Sequence, residues 1–379
     1  MNHAGKSPPE PRPMDALDLT PLLTPLIAKH RIPGIAAARL QGDRITAAGV
    51  AGVRKVGAAE PITLTDQFHL GSNTKAMTAT LVGMLVDEGR LTWNASLAEI
   101  FGGPKTKIAP AWWTVRLEHV LAHRAGLAEN VGPFATARRA FGGGQMTTQR
   151  RLLVESTLAR PPTYTPGNQR IYSNVGYIVA GAAAEKATGQ SWEALMQEKL
   201  FTPLGLRSAG FGAPGTAGEV DEPWGHHTAT RARDPGSWRA DNARFLGPAG
   251  TVHLAITDWA AFIALHLQGD PANPNRRVRL LKPESLARLH TPFPADHGRY
   301  FGGWVIETRQ WAQGDRTGDA GRVLWHNGSN GRWFSVAWLA PERDFAVLVA
   351  CNRGDGGMDK ALDEVVQTIL QQRHLPLRE

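Results

Sequence analysis

The chain has 379 residues, 42% hydrophobic and 20% charged, with a net charge of +8. That length can bury a sizeable core in one large or two intimate domains, and no stretch approaches the ~20 apolar residues of a membrane span. The excess of 42 Lys and Arg over 34 Asp and Glu is scattered through Arg138-Arg139, Arg150-Arg151 and Arg276-Arg277 with no stacking aromatics between them. It therefore reads as a solvated surface, not a nucleic-acid patch.

The predicted elements follow in chain order. Residues 1–17 are expected to form a flexible tail, and the first 13 lack the apolar core of a signal peptide. The protein is cytoplasmic if this N-terminus is native and periplasmic if a leader has been removed; both stay open. Leu22 to His30 reads as a helix, and Gly34 to Leu40 and Arg44 to Val50 as strands joined by the Gln41-Gly42-Asp43 turn. Ser72 to Glu88 is predicted helical, with Met77, Leu81, Met84 and Leu85 on an apolar stripe and Gly89 as its stop. From about Ala95 to Pro248 helical patches alternate with loops. Candidate gating loops lie at residues 131–149 and 213–239. Tyr300 to Thr308, Arg322 to His326, Trp333 to Leu339 and Phe345 to Cys351 read as strands, and Met358 to Arg373 as a closing helix. The fold class is α+β. An antiparallel sheet built from both chain ends (residues 18–94 and 249–379) carries an inserted, mainly helical domain (residues 95–248). Cys351, the single cysteine, excludes an intramolecular disulfide and sits in an apolar run as an inert core thiol.

Three short motifs carry chemistry. Ser72-Asn73-Thr74-Lys75 places a hydroxyl and an amine three residues apart, on one face of the predicted helix. Ser72 is the only serine with lysine at that spacing. A serine is a weak nucleophile until a neighbour takes its proton, and a helix N-terminus offers free N–H groups to a developing anion. Tyr172-Ser173-Asn174 is the one Tyr-x-Asn among four tyrosines, and His326-Asn327-Gly328-Ser329 heads a strand-like run. A cleft between sheet and helical insert would collect Ser72, Tyr172 and His326.

In order and spacing these motifs resemble those of the serine β-lactamase and penicillin-binding-protein superfamily: S-x-x-K, then Tyr-x-Asn, then a K-T-G-like strand. The Tyr-x-Asn points to the class C β-lactamase-like branch, with its family VIII esterases and D-amino-acid peptidases. Leu121-Ala122-His123-Arg124-Ala125-Gly126-Leu127, Pro166-Gly167, Gly176-Tyr177 and Gly247-Pro248-Ala249-Gly250 are similar to segments of that branch, and the likeness spans roughly residues 18 to 372.

The resemblance implies Ser72 as nucleophile and Lys75 as the group that takes or relays its proton. Tyr172 would act with that lysine as acid and base, its phenol needing a nearby cation to lose its proton. Asn174 would face the substrate carbonyl or position Lys75. The backbone N–H of Ser329, with that of Ser72, would form the oxyanion hole, and Gly328 would let a ligand approach closely. No cofactor and no metal are expected. His119 and His123 have a metal-compatible spacing, but no Glu completes an H-E-x-x-H. His226-His227 reads as a cleft-rim or surface pair. Trp325, Trp333 and Trp338 read as core, with alternate ones able to wall an acyl pocket.

His326 replaces the lysine of β-lactamases. A histidine is largely neutral above its reference pKa of ~6.5, so a substrate without the penicillin-type carboxylate is favoured. The expected function is a serine hydrolase acting on a small-molecule ester or amide, a carboxylesterase first. A β-lactamase or D-amino-acid peptidase comes second, and a sensor or scaffold that does not turn over is the reading from another class. Substrate identity and oligomeric state are left open.

Overall fold

The computed structural model describes residues 16–104, 106–132, 144–294 and 297–372. Its frame is an eight-stranded sheet in the order Leu17–Asp18, Arg44–Gly52, Gly34–Gln41, Phe345–Cys351, Phe334–Ala340, Arg322–Ser329, Trp304–Thr308, Tyr300–Phe301. Every neighbouring pair is antiparallel except the first. The N-terminal hairpin lies against the C-terminal strand, so the two ends of the chain close one sheet, as expected from the α+β reading.

Strand residues point alternately to the two faces, and helices cover both. On one face Ile35, Ala37, Val347 and Val349 pack with Leu23 and Leu26 of the Thr20–His30 helix and Val365 and Ile369 of the Met358–Gln371 helix. On the other, Ala36, Ala38, Leu40 and Leu348 meet the Thr74–Asp87 and Ile256–Gly269 helices. That second core continues through Val175, Ile178, Trp192 and Phe201, so the sheet and the expected helical insert share one apolar interior. Cys351 is buried, its thiol pushed up to about 12 by loss of solvation.

Several expectations change. The Ser72 helix begins with a tight 3₁₀ turn, Gly71–Asn73, before Thr74–Asp87 turns α-helical. Every residue from Thr74 to Leu85 is buried, so this is a central helix enclosed on all sides, not one with an apolar stripe. Val252–Ala255 forms a short strand between Gln67–His69 and Gly210–Phe211. This three-stranded sheet carries the chain into the Ser72 turn. Arg150 does not belong to a solvated surface: it is fully buried and forks onto Glu185 and Glu193, both at 2.7 Å. Arg138-Arg139 lie outside the described residues. No helix among the described residues is long and apolar enough to cross a membrane.

Candidate active site

Ser72 sits where the small sheet hands over to the central helix. The turn is held from three directions. Ser335 Oγ donates to Leu70 O at 2.8 Å, Asn73 Nδ2 donates to Ser335 Oγ at 2.8 Å, and Leu70 N–H donates to Val252 O at 2.8 Å. Gly71 has φ +51°, and a Cβ there would lie 2.4 Å from Ser329 N, so only glycine fits. A Cβ on Gly328 would lie 2.0 Å from Leu70 O and 2.7 Å from Ser72 N. What approaches Gly328 is thus the protein's own Ser72 turn. The backbones of Ser72 and Ser329 come together because neither glycine carries a side chain.

Lys75 is fully buried, one turn along the central helix. Its Nζ donates to Asn174 Oδ1 and to Ala249 O, both at 2.7 Å, and lies 3.0 Å from Ser72 Oγ. Burial holds the amine well below the usual lysine range. A neutral amine has two N–H groups and one lone pair. With both N–H groups taken by strict acceptors, the lone pair is left for the Ser72 hydroxyl. Asn174 Nδ2 in turn donates to Asn130 Oδ1 at 2.7 Å, so the amide orients Lys75.

Tyr172 donates its hydroxyl to Ser72 Oγ at 2.7 Å. Although 36% of the residue is exposed, loss of solvation pushes the phenol above its ordinary range, and it stays a proton donor. Its ring stands 4.7 Å from Lys75 Nζ and 4.5 Å from the centre of the buried His123 ring. His123 accepts from Ser173 N–H through Nδ1 at 3.0 Å, fixing the Tyr172 backbone. Burial holds it well below the usual histidine range. His119 uses its Nδ1 on Arg116 N–H, so the two histidines serve separate backbone contacts.

His326 is buried too, lowered to about 3 chiefly by desolvation. Its Nδ1 donates to Asn327 O at 2.5 Å, and its Nε2 accepts from Tyr300 at 3.3 Å. The imidazole is neutral across the physiological range. Ser72, Tyr172, His326, Gly328 and Ser329 line one cleft of about 510 Å³, with Trp325 and Phe334 in its wall. Trp325 stacks on Trp338 at 4.9 Å, whereas Trp333 is fully buried against His69.

Sequence reasoning missed five contributors. Tyr300 and Tyr177 join Tyr172 around His123, so three of the four tyrosines in the chain meet here; that scarcity was the available signal. The Ala249 carbonyl lies within a segment the sequence did single out. His69 and Asp241 carried no signal: Gly71 N–H donates to His69 Nδ1 at 3.0 Å, and His69 Nε2 lies 2.8 Å from Asp241 Oδ1. Asp241 also accepts from Asn330 Nδ2 at 2.8 Å, bracing the Ser72 turn against the loop after Ser329. His226 is neither rim nor surface. It is buried, accepts from Val56 N–H at 3.1 Å and donates to Asn352 O at 2.7 Å; His227 alone is exposed.

A two-ended antiparallel sheet packed on a central helix, with serine and lysine on that helix and a Tyr-x-Asn opposite, defines a serine hydrolase of the β-lactamase and penicillin-binding-protein type. The Beta-lactamase family model matches residues 19–371, and the chain belongs to that family. It is 28% identical to penicillin-binding protein 4 of Amycolatopsis lactamdurans, over 87% of this chain and 83% of that protein. It is 23% identical to the unguisins hydrolase of Aspergillus campestris, over 90% of this chain but 62% of the relative. In fold it is similar to a β-lactamase/D-alanine carboxypeptidase from Pseudomonas syringae, with a TM-score of 0.72 at 18% identity over 92% of this chain and 96% of that one.

Proposed function

We propose that the protein is a carboxylesterase for small or medium acyl groups, working through an acyl-enzyme on Ser72. The observation that carries this reading is the position of Ser72 Oγ, between Lys75 Nζ at 3.0 Å and the Tyr172 hydroxyl at 2.7 Å. Lys75 takes the hydroxyl proton as Oγ bonds to the ester carbon. The carbonyl oxygen receives the displaced electron pair and is held by the N–H groups of Ser72 and Ser329. As the ester C–O bond breaks, the alcohol oxygen takes the Tyr172 proton, and the Lys75 ammonium reprotonates Tyr172. Water then attacks the acyl-enzyme along the same route, its proton passing to this pair, and Ser72 leaves with its hydroxyl restored.

The neutral His326 supports an ester over a β-lactam, since a fixed cation for the β-lactam carboxylate is missing at that position. Cleavage of an amide, as a β-lactamase or D-amino-acid peptidase, is the second reading. It is favoured by relatives named penicillin-binding protein 4 and Beta-lactamase. The test compares p-nitrophenyl butyrate with nitrocefin, beside Ser72→Ala and with intact-mass readout. Ester turnover well above nitrocefin turnover, both lost in Ser72→Ala, is the expected result. Efficient nitrocefin turnover transfers the assignment to a β-lactamase, and a stable adduct without turnover makes the protein a sensor.

A further inference from the structure

We infer that the alcohol released from the substrate carries an aromatic ring, which packs on the indole of Trp325. The inference rests on Ser72 being the acylated serine, as proposed above. Trp325 is half-buried in the lining of the Ser72 cleft, and the one polar atom of its side chain is already spent: Nε1 donates to Glu307 Oε1 at 2.7 Å. Its ring is stacked on that of Trp338, with centres 4.9 Å apart and planes 11° from parallel. Trp338 is braced in turn by Trp311, edge-on at 6.1 Å. Val305 stands directly opposite Trp325 on the neighbouring strand and lines the same cavity. The indole is therefore fixed in place, with no hydrogen bond left to offer the cleft. Whatever it holds there is held by apolar contact. A flat, immobile ring suits a second ring, because little conformational freedom is lost on packing the two together.

The course of the strand sets which half of the substrate meets Trp325. Two points on Arg322–Ser329 are tied to the chemistry. Ser329 N–H belongs to the proposed oxyanion corner, and the His326 ring lies 6.3 Å from that of Tyr172, the proposed proton donor to the leaving group. The direction from Ser329 to His326 thus runs from the carbonyl oxygen toward the leaving group, and Trp325 comes next. Pairing with the Trp304–Thr308 strand stops at Trp325, opposite Val305. That edge of the strand is open to the cleft over residues 326–329, and the lining reaches across it from Ser72 to the face bearing Trp325. Four residues of strand span about 13 Å, which places the ring several bonds from the ester oxygen. The other aromatic residue lining the cleft on that face, Phe334, pairs with Ser329 at the opposite end, so a ring on the acyl group would meet Phe334 instead.

The test uses two pairs of isomers. 4-Phenylbutyl acetate and ethyl 4-phenylbutanoate share one formula and carry the ring on the alcohol or on the acyl group; butyl acetate and ethyl butanoate are their ring-free counterparts. Adding the ring on the alcohol side should raise wild-type kcat/KM by on the order of tenfold, and on the acyl side by less than about threefold. The alcohol-side gain should disappear in Trp325→Ala and be largely kept in Trp325→Phe, which retains a ring. Each gain is a ratio measured on one preparation, and the wild-type comparison stands whether or not Trp325→Ala folds. Saturation-transfer NMR with 4-phenyl-1-butanol, the released alcohol, gives a second readout that needs no turnover. Transfer to its ring in the wild type, lost in Trp325→Ala, with no hydrolysis of any of the esters, upholds the aromatic site and defeats the esterase reading. Hydrolysis with no gain on the alcohol side, with a larger gain on the acyl side, or with a gain untouched by Trp325→Ala overturns the aromatic site and leaves the hydrolase reading intact. Neither hydrolysis nor transfer overturns both.

Discussion

Lys75→Met tests the centre of the argument, because it keeps the length and apolar stem of the side chain and removes only the amine. Nζ has three neighbours within 3.0 Å. Losing the one to Ser72 removes the proposed proton acceptor, and general-base contributions run at roughly 10²–10⁴-fold, or about 3–5 kcal/mol of barrier. Losing the other two leaves Asn174 Oδ1 and Ala249 O without a donor, at about 1–3 kcal/mol for each acceptor that stays dry. Against that cost, a buried amine held below its usual pKa gives up its own desolvation penalty. The net stability change is therefore small, within about 2 kcal/mol, or about 2–3 °C of Tm for a chain of this size. The assay is kcat/KM on p-nitrophenyl butyrate, read beside thermal unfolding. The expected result is a hundredfold or greater loss (~10²) in a protein that still melts cooperatively. Wild-type kcat/KM should also rise with pH and level off well below the ordinary lysine pKa of about 10.4, since the neutral amine is the active form. Turnover in Lys75→Met within about tenfold of wild type, at equal Tm, would refute the base assignment.

Gly71→Ala forces a Cβ to 2.4 Å from Ser329 N at φ +51°. It should lower kcat by roughly 10²-fold with little change in KM if the displaced Ser329 N–H is the proposed oxyanion donor; a KM effect alone would point to substrate binding instead. Asp241→Ala frees both His69 and Asn330, and should lower kcat more than Asp241→Asn does, with the plateau pH of the rate profile unmoved. A shifted plateau would mean that Asp241 tunes Lys75 and does not hold the turn. For His326, the folded pKa of about 3 lies below the ordinary 6.5. The folded state thus disfavours the proton, and the stability this contributes is complete above about pH 6.5 and lost as pH falls toward 3. Between pH 7 and 5 the loss is about 2 kcal/mol. Glu222, raised to about 7, acts with the opposite sign, so the measurement is a difference: urea unfolding of His326→Asn should show a pH slope shallower than wild type by that amount, and equal slopes would contradict it.

The parts of the site that were legible in the sequence are those whose geometry is local. Serine and lysine three apart on one helical turn must meet, and Asn174, two residues beyond Tyr172, starts the Asn174–Thr188 helix beside them. The C-terminal strands were legible because each is a bounded apolar run; Phe345–Cys351 matches the expectation to the residue. The Val252–Ala255 strand was not. It runs without a break into the apolar Ile256–Gly269 helix, and no change of period marks the boundary. His226 was misplaced because its Pro- and Gly-rich neighbourhood reads as surface turn, while its two ring nitrogens are spent on backbone groups far away in the chain. Arg150 was misplaced because a doublet of arginines gives no sign that two glutamates lie in wait, 35 and 43 residues on.

What no motif could convey is the state of charge, and here the structure changes the chemistry. From residue types alone, Lys75 reads as the group that takes or relays the Ser72 proton and Tyr172 as a phenol that needs a nearby cation to lose its own. Burial acts on both groups. The amine is lowered and the phenol raised, so burial favours a neutral amine facing the Ser72 hydroxyl and a neutral phenol ready to donate. Lys75 is then the group fitted to receive the first proton and Tyr172 the one fitted to supply the leaving group, a division of labour set by the closed packing of the central helix from Thr74 to Leu85. The same packing that removes water from Lys75 and His326 removes their positive charge from the cleft. It is for this reason that any electrostatic selection of substrate falls to residues outside the three motifs.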